Sequence, residues 1–166
     1  MEKRDLYDIN RNLTGETIFK GEPIPEGRYI IVVLVYIQNS KGEFLIQKRT
    51  LEKNGKYAST GGHAKSGETG LQGMITEIKE ELGLDVSPDE LELIFSGRED
   101  KAQVFFDLFY LKKDFEIKDL TLQKEEVDFV EWMSISEIDK LIKDDLFFSN
   151  HAEEFYRTLD VLKNQN

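Results

Sequence analysis

The chain has 166 residues and a formal net charge of −11, with 39% hydrophobic and 33% charged residues. These values fit one globular domain with a full core, and the acidity disfavours non-specific binding to nucleic acid or to anionic membranes. The absence of cysteine excludes disulfides, thiolate metal sites and cysteine nucleophiles. No signal-peptide core precedes residue 11, and the longest apolar run, residues 29–37, is too short to span a bilayer. We therefore expect a cytoplasmic location.

The first 27 residues are polar and contain turn signals at residues 10–12, 14–15 and 23–27. Two short segments, LYDI and ETIFK, have strand character. They predict a short N-terminal β-hairpin arm, residues 1–27, that packs on a main domain of residues 28–166. A mobile arm is the alternative.

The run of residues 29–37 is nearly all β-branched or aromatic, which predicts a strand buried on both faces. A tight turn at residues 39–42 leads to a second strand over residues 43–49. Arg28, Lys48 and Arg49 flank these strands and are candidate phosphate-binding residues. A solvated strand edge is the other interpretation of the three.

A helix is predicted after Gly61, Gly62 and a polar loop. Thr69 has the position of an N-cap with Gln72 as its capping-box partner, and Gly83 has the position of the C-terminal cap. The apolar positions at helical spacing form a stripe that we expect to be buried: Leu71, Ile75, Ile78 and Leu82.

Three carboxylates share another face of this helix, namely Glu77, Glu80 and Glu81. Such a cluster is either a solvated acidic face or a site for divalent cations, which prefer oxygen ligands and relieve the repulsion. Gly73, one turn before Glu77, is expected to leave room for a bulky group on this face.

The remaining chain predicts strands at residues 91–97, 102–111 and 127–133, with a loop or short edge strand at 115–122. A helix follows with Ser136 as a plausible cap, and a last helix covers about residues 150–163. Strands and one central helix, followed by strands and C-terminal helices, predict an α/β fold with a mixed sheet between helical layers.

The spacing from Gly62 through Glu68 to Leu84 resembles the Nudix box, because eight of its nine specified positions match. The resemblance implies the Nudix α/β/α sandwich with a mixed sheet. The N-terminal segment resembles, more weakly, the isopentenyl diphosphate isomerase-like subgroup. The ninth position has Thr76 where the family has arginine.

The resemblance also implies a divalent-metal-dependent hydrolase that cleaves the diphosphate of a nucleoside diphosphate linked to another moiety. The hydrolase's metal, Mg²⁺ or Mn²⁺, is expected to bind Glu77, Glu80, Glu81 and the backbone carbonyl of Gly61. The three carboxylates are therefore also expected to be catalytic. Glu126, in the loop before a late strand, matches an acidic position that serves as base or ligand in many members; a charged loop is the alternative. The expected partner is a phosphorylated, nucleotide-derived small molecule, not a nucleic acid duplex or a membrane, and the chain is expected to be a monomer or homodimer.

Two further residues leave alternatives open. His63 follows the glycines and either contacts a phosphate or packs in the core. In the family the box arginine holds the neighbouring glutamates, whereas the hydroxyl of Thr76 is expected to bond the backbone one turn back. Either another cation replaces that arginine, or the glutamates are held loosely. The candidate cations are Lys65, Lys79, Arg28 and Arg98.

Two other functions compete with the hydrolase. One is a non-catalytic nucleotide- or metal-binding module, which the Thr76 departure favours. The other is an isopentenyl-diphosphate-isomerase-like enzyme, which the lack of the cysteine acid used by that group disfavours.

Overall fold

The computed structural model describes residues 1–165. The strands are β1 (Lys3–Tyr7), β2 (Leu13–Phe19), β3 (Ile30–Gln38), β4 (Phe44–Arg49), β5 (Tyr57–Ala58), β6 (Thr60–His63), β7 (Glu92–Glu99), β8 (Val104–Lys112) and β9 (Val127–Met133). The helices are α1 (Gly70–Leu82), α2 (Ile135–Lys143) and α3 (Ser149–Asn164). Short 3₁₀ turns occur at Leu51–Lys53, Pro88–Glu90 and Ile117–Asp119.

Seven strands form a mixed sheet with two wings that meet at the turn between β3 and β4. In one wing β3 pairs in parallel with β8, antiparallel with β6, and β8 carries β7 at the edge. In the other wing β4 pairs antiparallel with both β5 and β9. The parallel β3–β8 pair is buried on both faces, which explains why residues 30–38 form a nearly continuous apolar run.

Alternate residues of β3 supply two hydrophobic cores, one on each side of the sheet. Val33 and Val35 pack with α1, whereas Leu34 and Tyr36 pack with α2 and α3. The result is an α/β/α sandwich, as predicted, with α1 alone on the face that carries the acidic cluster.

The N-terminal segment forms the predicted antiparallel hairpin of β1 and β2. Leu6 and Ile18 are buried against Ile30 at the start of β3, and Tyr7 and Tyr29 exchange backbone hydrogen bonds of 2.9 Å. The hairpin therefore packs on the sheet. The division of the chain at residues 27 and 28 stays a prediction.

Two local predictions need correction. Ser134, not Ser136, caps α2, because the side chain of Ser134 accepts the amide of Glu137 in a complete capping box. Residues 60–63, for which no element was predicted, form strand β6, since pairing with β3 orders glycines that have little strand propensity of their own. The buried stripe of α1 is Met74, Ile78 and Leu82, while Leu71 and Ile75 are only half-buried.

No helix within residues 1–165 has the length and apolar character needed to cross a membrane.

Candidate active site

The box helix begins and ends where the sequence predicts. The Thr69 side chain accepts the amide of Gln72, the Gln72 side chain accepts the amide of Thr69, and Gly83 closes the helix with φ of 68°. Strand β6 lies directly before it and faces one side of the helix. Glu77, on the acidic face of α1, is thereby packed against β6 rather than turned to solvent.

Glu77 is buried beside Gly62. A Cβ atom on residue 62 would lie 2.3 Å from the Glu77 carboxyl carbon, so only glycine leaves space for this carboxylate. Burial raises the pKa of Glu77 to about 7; the Lys65 charge opposes this shift, and the Glu80 charge adds to it.

Glu81 is buried one turn later, with 6% of its surface exposed. The Gln47 amide of β4 donates to it at 3.2 Å and also donates to the Ser59 carbonyl at 2.9 Å. Burial, followed by repulsion from Glu77, raises the pKa of Glu81 well above its usual value. The other amide atom, Gln47 Oε1, is buried without a hydrogen-bond partner among the described residues.

Glu80 lies at the exposed rim of this pair, with its side chain 42% accessible. Lys65 Nζ is 2.9 Å from Glu80 Oε1 and 3.7 Å from Glu77 Oε1. As they stand, no three acidic or histidine side chains within residues 1–165 converge on a single point. The structure therefore shows two buried carboxylates and a third that is held by a lysine.

Thr76 bonds a side chain rather than the backbone, contrary to expectation. Its hydroxyl donates to Glu68 Oε2 at 2.5 Å, and the backbone amide of Lys65 donates to Glu68 Oε1 at 2.7 Å. Glu68 thus ties the loop before α1 to the middle of that helix.

Gly73 permits close packing and does not leave an open space. A Cβ atom at residue 73 would be 2.9 Å from the Cα of Ala64, so the loop before α1 lies directly on this glycine. An open depression of about 810 Å³ instead borders Thr76 and Glu80 on the outer side of the helix, with Lys79 and Lys113 in its wall.

Glu126 reaches the site from the loop before β9. Its charge contributes to the raised pKa of Glu81, after burial and Glu77, and its carboxylate is 3.3 Å from Lys53 Nζ. Arg49 acts on Glu81 in the opposite direction, and its guanidinium lies 4.6 Å from the centre of the Phe148 ring. The structure therefore brings Glu126 and Arg49 to the buried carboxylates.

Lys48 and Arg28 lie elsewhere. Lys48 follows Gln47 in β4, so it extends from the opposite face of the sheet, where its Nζ is 5.5 Å from the Tyr57 ring. Arg28 is 2.6 Å from Glu16 of the arm. Neither residue is brought to the carboxylates by these contacts.

His63 and Gly61 flank Gly62 in β6, opposite Val32 and Leu34 of β3. Burial, assisted by the charge of Arg4 in the arm, lowers the pKa of His63 to about 4. The ring is therefore neutral near pH 7 and lies within electrostatic reach of the arm.

Three residues beside the carboxylates were not predicted as site residues: Gln47, Lys53 and Phe148. Lys65 was one of four candidate cations, and it is the one that contacts the glutamates. Gln47 had a signal, because a polar residue within an otherwise buried strand calls for a buried partner. The others come together only through the fold.

A sequence model of the NUDIX domain matches residues 28–157. The chain therefore belongs to the NUDIX domain family and is a Nudix hydrolase, a class that acts on derivatives of nucleoside diphosphates. It is 39% identical over 145 residues, 85% of each chain, to an uncharacterized Nudix hydrolase from Listeria monocytogenes. It is also 32% identical over 75 residues, 45% of this chain and 49% of the other, to the dihydroneopterin triphosphate diphosphatase of Escherichia coli.

Solved structures have the same fold. A Deinococcus radiodurans protein superimposes with a TM-score of 0.77 at 20% identity, covering 94% of this chain and 98% of that one. The NUDIX domain of NrtR from Shewanella oneidensis, crystallised with ADP ribose, gives a TM-score of 0.64 at 12% identity, covering 81% and 88%.

Proposed function

We propose that this Nudix hydrolase cleaves the diphosphate of a nucleotide-derived substrate with Mg²⁺ or Mn²⁺ held by Glu77, Glu80, Glu81 and the carbonyl of Gly61. The observation that carries the proposal is the burial of Glu77 and Glu81 one turn apart on α1, with Glu77 against Gly62 and Glu81 against Gln47. Burying two like charges is costly, and a divalent cation offsets both the repulsion and the lost hydration.

The residues fit such a cation in donor chemistry. Mg²⁺ and Mn²⁺ prefer oxygen ligands, and the site offers carboxylate oxygens on one turn of helix beside a strand backbone. The unpartnered Gln47 Oε1 adds a buried oxygen next to Glu81. When bound, the cation supplies charge neutralisation at the phosphate oxygens and a more acidic water.

Protein groups around the carboxylates would carry the other parts of the reaction. Glu126 acts electrostatically on Glu81 and is only partly exposed, a position that suits a base that takes a proton from water. Arg49 and Lys53 are the nearby cations that could hold phosphate oxygens, and the Arg49 guanidinium is already oriented by the Phe148 ring. Lys48 and Arg28 are left out of these roles because their contacts lie away from the carboxylates.

The substrate class rests on the relatives. The E. coli relative is named for a pterin triphosphate, and the NrtR domain was crystallised with ADP ribose. Both ligands join phosphoanhydride groups to a flat ring system. In the depression beside Glu80, Lys79 and Lys113 are already paired with Asp85 and Glu90, so the phosphate contacts fall to Arg49 and Lys53.

A matched pair of variants tests the metal assignment. Glu81→Gln keeps the side-chain volume but removes a ligand charge, so we expect phosphate release from the best substrate of a diphosphate panel to fall by about 100-fold or more. The control is Glu131→Gln, which removes an exposed carboxylate from β9 and should leave the rate unchanged. Circular dichroism checks that both variants are folded.

Either of two results would overturn the proposal. The first is a Glu81→Gln rate above about half that of the wild type. The second is a wild-type protein that hydrolyses no member of the panel with either cation.

A further inference from the structure

Thr76 leaves the box without its arginine, and a lysine from outside that position contacts the box glutamates. We propose that Lys65, in the loop before α1, is the positioning residue that holds Glu80 and Glu77 in this protein. The proposal rests on the proposed function, because it assigns Lys65 a task toward the same metal site. Its ammonium contacts Glu80 at 2.9 Å and Glu77 at 3.7 Å, so one cation bridges both carboxylates.

The other candidate cations are engaged elsewhere. Lys79 is 2.9 Å from Asp85, Arg28 is 2.6 Å from Glu16, and Arg98 is 2.7 Å from Asp100. Only Lys65, of the four cations considered from the sequence, contacts the box glutamates in the described part of the chain.

Thr76 belongs to the same arrangement. Its hydroxyl holds Glu68, and Glu68 in turn accepts the backbone amide of Lys65 at 2.7 Å. Threonine therefore positions the backbone from which the lysine side chain extends. An arginine at residue 76 would remove the hydroxyl that bonds Glu68 and would add a second cation near the carboxylates that Lys65 already contacts, so the two solutions compete within one site.

The arm fixes the other side of this loop. Ser66 donates its amide to the Lys3 carbonyl at 2.7 Å and its hydroxyl to Asp5 at 2.6 Å, and the Gly67 amide donates to Asp5 at 2.8 Å. Lys65 thus lies between two anchors, Glu68 on the helix side and β1 on the arm side. A long flexible side chain with a fixed backbone can supply a cation at a defined place.

The first experiment compares Lys65→Met with Lys79→Met. Both variants remove one positive charge beside the box helix, but only Lys65 contacts the glutamates. We expect Lys65→Met to lower kcat by about tenfold or more and to weaken Mn²⁺ binding by about tenfold, because loss of a residue that orients metal ligands has effects of this size. Mn²⁺ binding is measured from the electron paramagnetic resonance signal of free Mn²⁺. KM for the substrate should change little in both variants, because Lys65 holds protein carboxylates rather than phosphate.

The second experiment asks whether the two solutions are interchangeable. In wild type, Thr76→Arg should give no gain in kcat, since the bond to Glu68 is lost and Lys65 already holds the carboxylates. In the Lys65→Met background, Thr76→Arg should restore at least part of the rate and of the Mn²⁺ affinity, because a guanidinium can bridge carboxylates. A purely structural role of Lys65 predicts no such rescue.

Three results would overturn the assignment: Lys65→Met binding Mn²⁺ as tightly as Lys79→Met, a rise in KM without a change in kcat, or a gain from Thr76→Arg in wild type. Failure of the proposed function itself gives a different result. If the proposed function is wrong, the wild type shows no turnover and Glu81→Gln binds Mn²⁺ as tightly as the wild type does. If only the Lys65 assignment is wrong, the wild type turns over substrate and Glu81→Gln binds Mn²⁺ more weakly.

Discussion

At the residue scale, burial controls the protonation of several side chains. His151 is partly buried at the start of α3, where its Nδ1 accepts the amide of Ser59 at 3.2 Å. Burial, followed by the charge of Arg49, lowers the pKa of His151 to about 3. The Phe148 ring covers it at 4.8 Å, so the imidazole is held neutral as an acceptor.

A pH dependence of stability follows from His151. The unfolded chain binds a proton near pH 6.5 and the folded chain only near pH 3, so its contribution is complete above pH 6.5 and is lost as the pH falls. Between pH 7.5 and 5.5 the free energy of unfolding should fall by about 1.4 kcal/mol more in wild type than in His151→Asn, whose amide oxygen can accept the Ser59 amide. Urea unfolding of the two proteins measures this difference.

Because the carboxylates titrate in both proteins, their contribution to the free energy of unfolding cancels in the difference between wild type and variant. The measurement stops at pH 5.5 because the isoelectric point is near 4.7 and solubility falls close to it. Parallel stability curves for wild type and His151→Asn would contradict the assignment.

The sequence predicted the acidic face of α1 but not its surroundings, and strand alternation explains why. The spacing of Glu77, Glu80 and Glu81 on one helix needs no tertiary information. Lys48 and Gln47 could be told apart only by knowing which face of β4 meets α1, and that depends on the pairing of β4 with β9. Lys65 reaches Glu80 across 15 residues, a distance that the loop conformation sets.

At the scale of elements, an ion pair between the arm and β8 lies against the start of the box helix. Arg11, from the turn of the hairpin, binds Asp107 of β8 through two hydrogen bonds of 2.7 and 2.8 Å. Asp107 is 4% exposed, also accepts the Ser96 hydroxyl, and lies where a Cβ of Gly70 would be. The start of α1 and the arm therefore meet at one carboxylate, a contact that the sequence analysis did not foresee because residues 11 and 107 are far apart in the chain.

Removing Arg11 tests how much its ion pair with Asp107 contributes to the free energy of unfolding. Arg11→Met leaves Asp107 buried without its cation, so we expect a loss of about 3 kcal/mol in the free energy of unfolding. The double variant Arg11→Met/Asp107→Asn removes the unpaired charge, keeps an acceptor for Ser96, and should recover a large part of the loss. Arg98→Met, which breaks an ion pair between exposed partners, should cost less than about 1 kcal/mol.

Chemical denaturation of the four proteins at pH 7 gives these values. A double variant no more stable than Arg11→Met would show that the unpaired Asp107 charge is not what destabilises that variant. A loss below about 1 kcal/mol in Arg11→Met would show that packing of Leu6 and Ile18, not the ion pair, holds the arm.

At the scale of the whole molecule, the two hydrophobic cores stabilise the fold, whereas burial of carboxylates on α1 destabilises it. Met74, Ile78 and Leu82 bury α1 on the sheet, and this packing carries Glu77 and Glu81 inward with them. The sequence foresaw the α/β/α layers because β3 is apolar on both faces. It could not foresee that apolar packing and carboxylate burial are coupled, since that depends on how closely β6 approaches the helix.

Cation binding should therefore stabilise the entire fold. A ligand that binds only the folded state adds RT ln(1 + [L]/Kd), about 2.7 kcal/mol at 100 times Kd, which for a chain of this length raises Tm by roughly 5–10 °C. We expect this rise when Mg²⁺ or Mn²⁺ increases to about 20 mM at constant ionic strength, measured by differential scanning calorimetry. Glu81→Gln should melt higher than wild type without the ion, because a buried charge is gone, and should lose most of the rise, whereas Glu131→Gln should keep it. A Tm of the wild type that does not respond to either cation would mean that the buried carboxylates are stabilised by protonation, and the metal site would have to be abandoned.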